Sequence, residues 1–228
     1  MRKICSSLKT DGFGAQYWAN MTCIAYCRNN NFIYRHSNYI RIRHFDRNTE
    51  KLLLPNLLNE FTGLKSDEDD DINREIDDKK AWTFPYSNNS DEWFSPSIIQ
   101  EIRKMYYSTS KPKIIECDVA IHIRRGDVQE NNINRTRFRP LSYYKNIIDK
   151  LKQKNKNCKF AIFSEGKIED FKEIQDENIE FYLNEDLLIS FHSMVKANIF
   201  VMGYSCLSLC IAILNENTVI YMKNQFKP

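Results

Sequence analysis

The sequence predicts an α/β protein whose second half carries a parallel, doubly wound sheet. Three observations predict it. From residue 118 onward, short apolar runs of strand character alternate with segments of helical period. The run Val119-Ala120-Ile121-His122-Ile123 has the period-two alternation of a pleated strand and ends on Arg124-Arg125-Gly126-Asp127. A second run, Ile199-Phe200-Val201-Met202, ends on Gly203-Tyr204-Ser205 and leads into an apolar helix. Ligands in such sheets sit beyond the carboxyl ends of the strands, so topology brings Arg124, Glu165 and Gly203 to Ser205 together.

Composition narrows the class. With 228 residues and 42% hydrophobic content, the chain can bury one good core or two small ones. A net charge of +3 is no nucleic-acid footprint. The seven cysteines form no CxxC pair, which reads as free thiols in a reducing compartment and predicts a cytoplasmic protein, in the host cytoplasm if viral. The start Met1-Arg2-Lys3-Ile4-Cys5-Ser6 has no apolar signal region, and no run reaches the ~18 apolar residues of a membrane span.

Taken in order, Arg2 to Leu8 reads as a short strand. Asp11-Gly12-Phe13-Gly14-Ala15-Gln16 is a Gly-rich turn into a helix from Ala15 to about Arg28, with Trp18, Met21, Thr22, Ala25 and Tyr26 as its apolar stripe. The turn is either a tight strand-to-helix connection or an anion-approach geometry. Phe32–Arg35 reads as strand, Tyr39–His44 as loop or strand, and Asn48–Phe61 as holding a short helix. Asp67, Glu68, Asp69, Asp70 and Asp71 lack EF-hand spacing and read as a solvated loop within Ser66–Lys80. Ala81–Tyr86 reads as a strand. Ser95-Pro96 opens a helix to Tyr107, with Ser as cap and Pro at the first helical position. Ser108–Lys113 is the linker between the halves.

In the second half, Leu141–Lys154 is helical, capped by Pro140 or Ser142, with Tyr144, Ile147, Ile148 and Leu151 inward. Lys159–Phe163 is a buried strand, Ile168–Ile174 a short helix and Ile179–Leu183 a strand. Asp186 caps a helix from Leu187 to about Ala197. Ile199–Met202 is a strand, Ser205–Leu214 a helix and Thr218–Met222 a final strand.

His122-x-Arg124-Arg125-x-Asp127 resembles the signature of the fucosyltransferases that use GDP-fucose, the alpha-1,2, alpha-1,6 and protein O-fucosyl groups. Gly12, Gly14 and Gln16 are similar to that family's Gly-x-Gly-x-Gln after its first strand. Ser205-Cys206-Leu207-Ser208 stands where the family carries Ser-Ser-Phe-Ser, a departure that puts one phosphate contact in doubt. The resemblance implies a small soluble member of the bacterial or viral kind. It also implies a GT-B-like fold of two Rossmann-like lobes with a donor cleft between them. Residues 1–110 would be a reduced acceptor-side lobe and residues 111–228 the nucleotide-sugar-binding lobe.

The implied reaction is inverting transfer of fucose to a glycan or other hydroxyl acceptor. No metal or other cofactor is expected, because an Arg can take a cation's part. The implied partners are a nucleotide-sugar and a glycan acceptor, without nucleic acid or a membrane span. Arg124 would grip the β-phosphate; Arg125, pointing to the other face, is structural or acceptor-side. His122 would fix the purine or its ribose. Glu165 falls at the donor crevice, and Ser205, Cys206 and Ser208 mark the phosphate-binding helix start, although Ser205 reads equally as a plain cap. His192 matches a position near the guanine or is a core histidine. Three carboxylates compete as base: Asp127, which otherwise pairs with Arg125 or caps its loop; Glu130; and Asp11. Arg137 and Arg139 read as surface residues. Two alternatives stay open: another nucleotide-sugar as donor, and a degenerate, non-catalytic nucleotide- or sugar-binding protein.

Overall fold

The computed structural model describes residues 3–4, 11–36, 38–39, 42, 54–65, 93–131 and 135–222, and the chain divides into two units, Met1–Lys111 and Pro112–Pro228. In the first unit, Lys3–Ile4 (β1) pairs in parallel with Ile33–Tyr34 (β2). Three helices accompany them: Phe13–Asn29 (α1), Leu54–Thr62 (α2) and Pro96–Tyr107 (α3).

Helix α1 starts two residues earlier than the sequence suggests, and it is not a one-sided amphipathic helix. Gln16, Asn20 and Thr22 are buried together with Trp18, Met21 and Ala25, so the helix is enclosed on nearly all sides. Hydrogen bonds hold two of these polar side chains. Asn20 Nδ2 donates to the Tyr39 hydroxyl at 3.3 Å, and Thr22 Oγ1 donates to the Ala19 carbonyl at 3.0 Å. Tyr26, expected on the inward stripe, is only half-buried and packs its ring against Phe32. Arg28 grips both oxygens of Glu101, tying α1 to α3. For a pair this exposed, that contributes about 0.2–1 kcal/mol.

Ser95 holds the N-cap position of α3 with Pro96 behind it, yet its hydroxyl pairs with that of Ser97 at 2.9 Å instead of capping the helix. Of the expected strand at Arg2–Leu8, only Lys3–Ile4 is described, and of Tyr39–His44 only Tyr39 and Ile42. Residues 48–53 of the expected helix region, the acidic stretch Ser66–Lys80 and the expected strand Ala81–Tyr86 lie outside the described residues.

The second unit is the doubly wound sheet. Val119–Ile123 (β3), Phe160–Ser164 (β4), Ile179–Leu183 (β5), Ile199–Val201 (β6) and Thr218–Ile220 (β7) are all parallel, in the order β5-β4-β3-β6-β7. The chain winds outward from β3 through β4 to β5, then crosses to the other side of β3 for β6 and β7. Its switch point therefore lies between β3 and β6, where open α/β sheets form their ligand crevice.

Alternation along β3 sorts the two faces. Val119, Ile121 and Ile123 join Phe160, Ile162 and Val201 in a core closed by Tyr144 and Ile148 of helix α4 (Leu141–Lys154) and by Phe171 and Ile174. Each such fully buried aromatic or branched side chain contributes about 1.5–3 kcal/mol. The segment Ile168–Ile174 is 3-10 with a kink at Phe171, not one short α-helix. The opposite face of β3 carries Ala120 and His122. It meets helix α5 (Leu187–Lys196), which packs on α6 (Cys206–Leu214). Asp186 caps α5 by accepting from the N–H groups of Leu188 and Ile189 at 2.8 and 2.9 Å. No helix among the described residues is long and apolar enough to cross a membrane.

Candidate active site

The registers decide what meets at the switch point. Ile121 is level with Val201 and Ile123 with Ser164, so Arg124, Glu165 and Gly203 all emerge at the carboxyl ends of neighbouring strands. Gly203 is the tightest element. A Cβ on it would stand 2.6 Å from the His122 carbonyl oxygen, 3.1 Å from His122 Nδ1 and 3.3 Å from the Arg124 nitrogen. Only a glycine lets the β6 turn approach the β3 backbone this closely.

His122 is buried against the start of α6. Its Nδ1 lies 2.6 Å from the Ser208 hydroxyl, and that hydroxyl also accepts from the Gly203 N–H at 3.1 Å. Ser205 caps the same helix, its Oγ accepting from the Ser208 N–H at 3.1 Å. Burial pushes the His122 pKa down to about 3, with the neighbouring Arg124 charge adding to the shift, so the ring is neutral. Cys206 is the first residue of α6 and is half-buried.

Two adjacent arginines have opposite fates. Arg124 ion-pairs with Asp127 at the crevice. The sequence has Asp127 pair with Arg125 or cap its loop; in the structure its carboxylate meets Arg124. Gly126 has φ +72° and turns the loop so that Asp127 comes back beside Arg124. The same turn lies against Glu165, whose carboxylate occupies the space a Gly126 Cβ would need. Arg125 has the parity of Ile123 and lies on the α4 side of the sheet. Its guanidinium donates to the carbonyls of Arg124 and Arg139 and covers the Phe138 ring at 4.4 Å. Arg125 is a structural tie.

Arg139 is half-buried, where the sequence suggests a surface residue. It stacks over Tyr204 at 4.9 Å and donates to the carbonyls of Thr136 and Phe138 and to the Met222 sulfur. Arg137 is exposed, as is Glu130. His192 is buried on α5 among Phe191, Ser193 and Met194. Asp11, Gly12, Gly14 and Gln16 form a cluster of their own in the first unit. Asp11 Oδ1 accepts from the Gly12 N–H at 2.7 Å, and Gln16 Nε2 donates to the Asp11 carbonyl at 2.5 Å. Neither Gly12 nor Gly14 has a positive φ.

Sequence reasoning places Gly203 and Tyr204 at the crevice but misses the close approach of the first and the stacking of the second, and it reads Arg139 as a surface residue. A glycine directly after a buried strand was the available signal for the first; nothing local marks the other two.

Comparison with curated protein sequences gives no match. Among solved structures, the chain is similar to POFUT1 in complex with GDP-fucose (12% identity, TM-score 0.47, 97% of each chain covered). It is also similar to NodZ alpha-1,6-fucosyltransferase soaked with GDP-fucose (11% identity, TM-score 0.46, 98% of this chain and 95% of that one). The fucosyltransferase NodZ from Bradyrhizobium gives 10% identity and a TM-score of 0.43, with 97% of this chain and 96% of that one covered. The family model of Glycosyl transferase family 11 matches residues 89–228, more than half of the sequence and the whole of the second unit, and the chain belongs to that family.

Proposed function

We propose that the chain transfers fucose from GDP-fucose to a hydroxyl of a glycan or other acceptor, with inversion at the anomeric carbon. The observation that carries the reading is the pairing, at one switch point, of Arg124 with the start of α6. Both supply positive potential where a diphosphate leaving group needs it. Fucose as the sugar rests on the likeness of His122-x-Arg124-Arg125-x-Asp127 to the GDP-fucose motif.

In this reading the acceptor oxygen attacks the anomeric carbon as its bond to the β-phosphate oxygen breaks, and GDP departs. Asp127 aims the Arg124 guanidinium, leaving its other N–H groups to meet the charge developing on the β-phosphate. That engagement makes Asp127 a positioning carboxylate and leaves Asp11 and Glu130 as the candidates for taking the acceptor proton. The nucleotide-sugar is the partner, and no step is assigned to a metal.

The test is GDP release from GDP-fucose over a panel of glycan acceptors. Arg124→Ala is expected to lower turnover about 100- to 1,000-fold. Undiminished turnover and GDP affinity in that variant would sink the assignment. Calorimetry with GDP, UDP and GDP-fucose separates a GDP-fucose donor from other nucleotide-sugars. GDP binding without release on any acceptor would favour a non-catalytic binding protein. Among Asp11→Asn and Glu130→Gln, the base is the one whose variant loses the acidic limb of the pH–rate profile.

A further inference from the structure

We propose that Ser208 is a positioning residue that locks His122 as the Nε2–H tautomer, so that the imidazole presents an N–H donor to the bound nucleotide. The inference rests on the nucleotide-sugar reading above for its ligand, and on the hydrogen-bond directions for the lock.

A serine hydroxyl has one proton and two lone pairs. The backbone N–H of Gly203 can only donate, so Ser208 Oγ accepts there, at 3.1 Å. Among the described residues, the other partner of that oxygen is His122 Nδ1, at 2.6 Å. If Nδ1 carried the proton, Ser208 would accept twice and its own hydroxyl proton would have no acceptor. Ser208 is 0% exposed, so no solvent could take that proton. The satisfied arrangement is a one-way chain from the Gly203 N–H to the Ser208 hydroxyl to an unprotonated Nδ1. Burial, which holds the ring neutral, leaves its single proton on Nε2.

Nε2 is not sealed in. His122 keeps 6% of its surface, and Nε2 is not among the buried, unpartnered polar atoms of the described residues. The ring stands at the crevice beside Arg124, where an acceptor oxygen or nitrogen of a purine or ribose would complete the chain. Ser208 is therefore not a phosphate ligand. Its proton is already engaged, and the residue acts through His122.

The test begins with histidine labelled with nitrogen-15 in the whole wild-type protein. The long-range proton–nitrogen correlation pattern is expected to show His122 neutral and protonated on Nε2, with the signal assigned by its loss in His122→Ala. A pattern protonated on Nδ1 overturns the lock, whatever the protein binds. Next comes a double-mutant cycle on GDP affinity with His122→Ala and Ser208→Ala. Each single variant is expected to weaken GDP by about tenfold, and the double variant to be no weaker than His122→Ala alone. Additive losses, or a Ser208→Ala loss reproduced with inorganic pyrophosphate alone, overturn the proposal and restore a direct phosphate contact. A wild-type protein that shows the Nε2–H pattern but binds no GDP overturns the nucleotide reading and leaves the lock standing.

Discussion

Two helix starts in this molecule look alike as sequence and differ as structure. Helix α1 follows Asp11-Gly12 and helix α6 follows Gly203-Tyr204-Ser205, each behind a strand in the chain order. At α1 the N-cap is Gly12 with no side-chain cap, and its φ of −61° is one that any residue adopts. At α6 the cap is a serine, the glycine touches the backbone of another strand, and a second serine bonds a buried histidine. Glycine before a helix is thus not a single signal. At the first start it has no steric duty that its φ reveals. At the second it is the contact that closes the switch point.

The difference can be broken or sharpened by measurement. The largest effect concerns pH. Because the His122 pKa falls from an ordinary 6.5 to about 3 on folding, the unfolded chain takes up a proton that the folded one refuses. This contribution to stability is complete above about pH 6.5 and is lost as pH falls toward 3, at a slope of about 1.4 kcal/mol per pH unit. Denaturant titrations at several pH values should show a stability slope steeper in the wild type than in His122→Asn by about that amount; equal slopes would refute a neutral, buried ring.

Next, Gly203→Ala is expected to destabilise by about 1–3 kcal/mol and to weaken GDP binding, since the new methyl meets backbone and not a movable side-chain tip. A denaturant midpoint unchanged from the wild type would mean that the close approach is not there. Ser205→Ala should cost about 1 kcal/mol through the lost cap. At the other start, Gly12→Ser is expected to shift stability by no more than about 0.5 kcal/mol. A loss there as large as at Gly203 would show that the two starts are alike after all.

Much of the second unit was legible in the sequence because its signals are local. The alternation in Val119–Ile123, the Asp186 cap and the apolar run after Ser205 each specify an element within a few residues. The parity of β3 likewise sends Arg124 and Arg125 to opposite sides. What could not be read depends on partners far along the chain or on the hand of a turn. Asp127 meets Arg124 because Gly126 adopts a positive φ, and no residue count reveals that. The all-round burial of α1 was hidden because Asn20 and Thr22 look like a solvated face; Asn20 has its partner at Tyr39, nineteen positions on. His122 and Ser208 are 86 residues apart, and only the β3–β6 pairing brings them together.

The adjacency of Arg124 and Arg125 makes the centre of the molecule intolerant of insertion. Were β3 to slip by one position against β4 and β6, His122 would turn into the oily layer beneath α4 and Ile123 would take its place at the mouth. The two guanidiniums would exchange sides as well, the one now tied to Phe138 arriving at the crevice without its carboxylate. A frame-preserving deletion inside Val119–Ile123 would thus undo recognition and core together.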